Sequence, residues 1–164
     1  MNTFKTSFIL LILFMMQVTL GAQDLNSKYT SDVNGLEISA IHTKQDIIAK
    51  FGPPTEYNRI DYTDEGLGID EEYNYNDEFK IYCTDGNIWE IWTKSPKYVF
   101  FNHIKVGDNI SKAHEMINDG WARRGMVERR DNGYYSLRVY LGDMSFFIYY
   151  KDDLIYSLRY NVPM

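Results

Sequence analysis

The feature that most constrains this chain is the period-two alternation in its last third. Residues 134–141 (YYSLRVYL), 144–151 (MSFFIYYK) and 154–161 (LIYSLRYN) switch between apolar and mixed side chains at every step, with Gly-Asp and Asp-Asp between them. Side chains of a strand point alternately to opposite faces, so such runs joined by tight turns read as an antiparallel meander with one buried face. The run ARRGMVERR at 122–130 precedes them as a fourth strand. An earlier set has the same character: TEYNRIDY, EEYNYN, EFKIYCT and NIWEIWT, with Asp85-Gly86 closing a hairpin between the last two.

The two sets align with each other. Residues 81–96 match 148–163 without gaps at an offset of 67, with identities at Ile81/Ile148, Tyr82/Tyr149, Asp85/Asp152, Ile88/Ile155 and Pro96/Pro163. Upstream, 36–44 lies against 104–112 at an offset of 68, and Gly52 then coincides with Gly120. Each set follows a helix signal. Thr43 is a candidate N-cap before KQDIIAKF, which Gly52-Pro53-Pro54 stops. Ser111 is its counterpart before KAHEMIND, stopped at Gly120. The expectation is an α+β fold of two tandem repeats, about 33–96 and 98–163, each with one or two short helices and an antiparallel β-meander of three to four strands.

This order resembles the beta-lactamase-inhibitor-protein-like fold, shared by tandem-repeat secreted inhibitors and by single-repeat SmpA/OmlA outer-membrane assembly lipoproteins. The resemblance rests on residues 48–55 (IAKFGPPT) and 104–112 (IKVGDNISK), which look like that group's helix exit and helix entry. It implies a concave sheet used to bind a protein target. The paired cysteines of the inhibitors are absent, as is the lipid-attachment cysteine of the lipoproteins.

Helices cover one face of such a sheet, and the other is left for function. The apolar set of the last three strands (Tyr135, Leu137, Val139, Phe146, Ile148, Tyr150, Tyr156, Leu158 and Tyr160) is assigned to the core. The outer set comprises Tyr134, Ser136, Arg138, Tyr140, Ser145, Phe147, Tyr149, Ile155, Ser157 and Arg159, with Lys80, Tyr82, Thr84, Ile88, Glu90 and Trp92 earlier in the chain. Aromatics mixed with Arg are the composition of binding hot spots. Candidate partner-binding residues are therefore Lys80, Tyr82, Glu90, Trp92, Arg138, Tyr140, Phe147, Tyr149 and Arg159.

Other chemistries find less support. Residues 61–78 hold eight carboxylates and no Lys or Arg, and Asp61, Gly66 and Glu72 echo a calcium loop. Thr63 and Glu65 at its third and fifth positions depart from that pattern, and a solvated loop between strands is the reading preferred. A hydrolase using two of these carboxylates is an alternative, as is a structural or assembly factor of the cell envelope. His42, His103 and His114 lack metal-ligand spacing. The lone Cys83 has no activating neighbour in sequence. No catalytic set and no cofactor are expected. A net charge of −6 excludes an ordinary nucleic-acid binder.

Residues 1–22 carry Lys5, an apolar run from Phe8 to Leu20, then Gly21 and Ala22, the three-part form of a secretory leader too short for a membrane span. The expectation is a protein exported to the periplasm or beyond, with 23–164 as a single domain and no stable span after cleavage. Its partner is expected to be a protein.

Overall fold

The computed structural model describes residues 28–163. The expected leader at 1–22 lies outside them. Residues from Ser31 onward form one unit, which carries every element below.

A short hairpin opens the unit, β1 (Asp32–Val33) and β2 (Leu36–Glu37), turning through Asn34 and Gly35 in left-handed backbone. Helix α1 (Lys44–Phe51) begins where expected. The Thr43 side chain accepts from Asp46 N while the Asp46 carboxylate accepts from Thr43 N, a reciprocal capping box that satisfies two otherwise orphaned donors. Gly52, at φ 86°, ends the helix. Four strands follow: β3 (Glu56–Asp61), β4 (Ile69–Tyr75), β5 (Phe79–Thr84) and β6 (Asn87–Thr93). After an irregular stretch come α2 (Ser111–Asn118) and then β7 (Arg123–Arg129), β8 (Tyr135–Leu141), β9 (Met144–Lys151) and β10 (Leu154–Asn161).

The strands form a single antiparallel sheet of eight, in the order β3-β4-β5-β6-β10-β9-β8-β7. This corrects the expected α+β fold of two tandem repeats. The strands assigned to separate copies are continuous through the β6–β10 pair, where Thr93, Trp92, Ile91 and Glu90 face Leu158, Arg159, Tyr160 and Asn161. The described residues are mostly sheet, with two helices among them.

One core lies behind the inner six strands of the sheet, β4 to β8 in spatial order. Phe79, Ile81, Ile91, Leu137, Val139, Phe146, Ile148 and Leu158 are all at or near zero exposure. From α1, Ile47 is buried and Phe51 meets Phe79 with ring centroids 5.0 Å apart. From α2, Ala113 and Met116 are buried. The irregular stretch between β6 and α2 fills the middle: Tyr98 stacks on Phe79 at 3.7 Å, and Phe100 and Phe101 contact Phe146 at 5.3 and 4.8 Å. Aromatics from both halves of the sheet thus pack against one shared connector.

Ser111 is not the cap of α2. It lies inside the helix, Ile110 occupies the cap position, and Asn109 Oδ1 accepts from Ser111 N at 2.9 Å. The acidic stretch is not a single loop either. Asp61 ends β3, Asp70, Glu71 and Glu72 lie in β4, and a short 3-10 turn (Thr63–Glu65) sits between. Asp61 accepts from the hydroxyl and the backbone N–H of Thr63, Asp70 accepts from Thr84, and Glu72 faces Lys80 and Tyr82. Among the described residues its carboxylates form no cluster that could hold a metal ion; Glu72 and Asp77 share Lys80, and Asp61 and Asp70 face separate threonines.

Candidate functional site

The register of the central strands places the outward side chains in rows. Lys80 pairs with Trp92, Trp92 with Arg159, Arg159 with Phe147, and Phe147 with Arg138. Lys80, Trp92, Arg159, Phe147 and Arg138 thus make one unbroken row across five strands, alternating cation and aromatic. Strands lie about 4.8 Å apart, so the row is about 19 Å long. A second row runs Tyr82, Glu90, Asn161, Ser145 and Tyr140. Tyr149, flanked by Ser157 and Ser136, stands in a third. All nine residues expected to bind a partner therefore share the face opposite the core.

Six of them, Lys80, Tyr82, Glu90, Trp92, Tyr149 and Arg159, line one hollow of about 330 Å3. At its base the Arg159 guanidinium donates to the Glu90 carboxylate, which also accepts from Asn161 Nδ2 at 3.3 Å. Glu90 is almost covered, with 11% of its side chain exposed, whereas Arg159 retains 42%. Arg159 Nε is buried with no hydrogen-bond partner among the described residues. Lys80 Nζ lies 3.5 Å from Glu72 and 3.3 Å from Asp77, and Tyr82 donates to Glu72 Oε1 at 3.2 Å.

Both cations are firmly charged. Burial is the largest single influence and disfavours the charged forms of Lys80 and Arg159, but hydrogen bonds to Asp77 and to Glu90 together with the negative charge around them outweigh it and hold both pKa values above their ordinary levels. Arg138 lies over the Phe147 ring at 4.5 Å and Lys94 over Trp92 at 4.8 Å, cation–π contacts that fix the aromatic planes. Tyr82, Trp92, Tyr149 and Arg138 stay half-buried, shielded by neighbours on their own face.

Two outward positions depart from the expected pattern: Trp89, which it leaves unassigned, and Tyr156, which it assigns to the core. Trp89 packs against Tyr82 at 5.3 Å, and Tyr156 is 37% exposed, between Tyr149 at 6.2 Å and Tyr134 at 4.8 Å. Ile88 and Ile155, expected outside, are buried instead. The reason is the same in both hairpins. The register shifts between Tyr82 and Cys83 on one side and between Ile155 and Ser157 on the other, so one extra residue inverts the alternation next to the turn. The bulge has no composition of its own, and period-two counting passes straight through it.

Cys83 is fully buried on the core side of β5, and burial, reinforced by Glu71, pushes its thiol up to about 12. That is the opposite of nucleophilic activation. Among the described residues no group of His, Cys, Asp and Glu could hold a metal ion, and no helix is long and apolar enough to cross a membrane.

No protein-family model matches this chain, and no curated protein matches it. Solved structures give partial likenesses. One is an extracellular protein containing an SCP domain from Bacillus anthracis str. Ames, at TM-score 0.47 and 12% identity over 73% of this chain. Another is a cysteine-rich secretory protein from Staphylococcus aureus subsp. aureus Mu50, at TM-score 0.44 and 13% identity over 72%. The chain spans 42% of the length of each. Neither belongs to the inhibitors or lipoproteins that the helix borders resemble.

Proposed function

We propose that this protein is an exported, non-catalytic binding module whose aromatic sheet face docks a protein partner, and that the partner presents carboxylates to it. The observation that carries the reading is the row Lys80–Trp92–Arg159–Phe147–Arg138. Three cations and two aromatics, with no carboxylate among them, stand on a chain whose net charge is −6. Lys80 and Arg159 are already paired with Glu72, Asp77 and Glu90, so Arg138, lying over the Phe147 ring, is the cation left to meet an acidic group of the partner, and the half-buried rings supply the desolvated contacts that dominate binding energy. The hollow receives one side chain of the partner between Tyr82, Trp92 and Tyr149, with Arg159 at its floor. The leader pattern at 1–22 supports export. Inhibition of an exported enzyme is one form such binding takes.

The test begins by cross-linking partners to the exported protein in its native compartment and identifying them. Affinity is then compared for the protein, Trp92→Ala and Arg138→Glu. Truncating one anchor of this kind costs at least about 2 kcal/mol, some thirtyfold or more in Kd. Arg138→Glu should weaken binding and reduce its salt dependence. Partners held equally well by Trp92→Ala and by Arg138→Glu, with folding intact by circular dichroism, would refute the reading.

A further inference from the structure

The two edge strands carry opposite charge. At one edge, β7 holds Arg123, Arg124 and Arg129 against Glu128, and Arg130 follows. At the other, β3 holds Glu56 and Asp61 against Arg59, and Asp64 and Glu65 follow in the next turn. Among the described residues both edges lie open: β3 pairs only with β4, and β7 only with β8. Each also exposes large apolar side chains, Ile60 at 51% on β3 and Met126 and Val127 at 58% and 39% on β7. Neither strand contains proline, one of the devices that block such an edge, so the charges on each strand and the bulge in β7 decide what can pair there.

We propose that copies of this chain associate head to tail, β7 of one pairing with β3 of the next, so that the sheet continues from molecule to molecule. The topology permits it. Every neighbour in the sheet is antiparallel and the strand number is even, so β3 and β7 run in opposite directions. A second copy in the same orientation therefore brings its β3 antiparallel to β7, with the outer faces on the same side. The charges select this arrangement over its competitors. A twofold pair of β7 strands brings together two edges that each carry three arginines and one glutamate, and a twofold pair of β3 strands brings together two that each carry two carboxylates and one arginine, so each pairing is like-charged in sum. Like charges directly opposite are destabilising across strands, whereas unlike charges attract.

The β7 bulge shapes the interface. Arg124 pairs with Val139 and Val127 with Leu137, so Gly125 and Met126 together oppose one residue. A Cβ on Gly125 would lie 2.7 Å from the Tyr140 ring, so the bulge is locked in place by the residue type. It leaves Val127–Arg129 as the regular stretch for pairing. An interface of this kind is heterologous and does not close on itself unless the rotation per copy allows a ring. Each added copy repeats the cation–aromatic row along the same side, but pairing of the edges does not depend on what that row binds.

The test is sedimentation velocity of the whole protein across a concentration series at about 0.1 M and about 1 M salt, where the screening length falls from about 10 Å to about 3 Å. The expected result is concentration-dependent growth beyond the dimer at the lower salt and its loss at the higher. With the outer faces on one side, Arg124 and Asp61 share the core-side face and Arg130 and Glu56 the outer one, so two edge-reversed proteins decide the geometry: Arg124→Glu with Arg130→Glu, and Glu56→Lys with Asp61→Lys. Each alone should be monomeric, and an equimolar mixture should associate again. Hydrogen exchange should show amides of β3 and β7 protected together in the mixture and in the parent protein, with β5 unchanged. A parent protein that stays monomeric, reversed variants that still self-associate, or a mixture that does not would each overturn the proposal.

Discussion

Alkali should unfold this protein through groups that the core keeps neutral, and Cys83 is the cleanest of them. Its thiol is fully buried on β5, and burial first, then Glu71, moves it from an ordinary value of 9.0 to about 12. In the unfolded chain the same thiol ionises near its ordinary value. The folded pKa is thus the higher one, so this contribution to stability is intact below about pH 9 and is lost as pH climbs toward about 12. Within that window the unfolded state binds fewer protons than the folded state, and each pH unit removes up to about 1.4 kcal/mol. Three units amount to about 4 kcal/mol, a large share of the about 5–15 kcal/mol that holds an ordinary domain together. Tyr75 and Tyr160, pushed up to about 12 by burial, lean the same way, as does Tyr73 more strongly. Urea unfolding at a series of pH values measures the total slope, and Cys83→Ala isolates one group. The variant should lose a constant packing increment of about 1 kcal/mol at every pH, while its slope above about pH 9 flattens by one proton's worth. An unchanged slope, or reaction of the native thiol with an alkylating reagent at the rate of an unfolded cysteine near pH 9, refutes this reasoning.

Two further substitutions probe separate parts of the fold. Arg159→Met strands the nearly covered Glu90 carboxylate; because Arg159 itself is partly solvated, the loss should fall between surface and buried pairs, at about 2 kcal/mol by denaturant titration. Adding Glu90→Gln should recover part of it, which a double-mutant cycle reads directly. Thr43→Ala removes one half of the capping box at the start of α1 and should lower stability by about 1 kcal/mol, with Thr43→Ser nearly neutral.

Much of this architecture is legible in the sequence, and the reasons for the misses are specific. The runs read as strands correspond to β3–β10, and α1 starts at its capping threonine, because alternation and capping are local signals. Lys80, Trp92, Arg159, Phe147 and Arg138 share a face because each lies far enough from a turn for period-two counting to hold. Trp89 and Tyr156 were assigned wrongly or passed over because a one-residue bulge beside each hairpin inverts the count, and nothing in Ile88-Trp89 or Ile155-Tyr156 announces it. The self-similarity of the chain suggested two units standing side by side. It gave no hint that β6 and β10 would pair, since that depends on which strand edges meet in space.

The position of β10 has a consequence for the order in which the protein is made. Of the eight strands it leaves the ribosome last, yet it lies at the middle of the sheet, between β6 and β9. Until residues 154–161 are available, β6 is an open edge carrying Trp89, Ile91 and Trp92, and β9 is another carrying Phe146, Phe147 and Ile148. The nascent chain therefore holds two adhesive halves that nothing yet joins, and the hollow lined by Glu90 and Arg159 does not exist. Completion of the sheet and assembly of the candidate binding site are one event, timed by a single late segment.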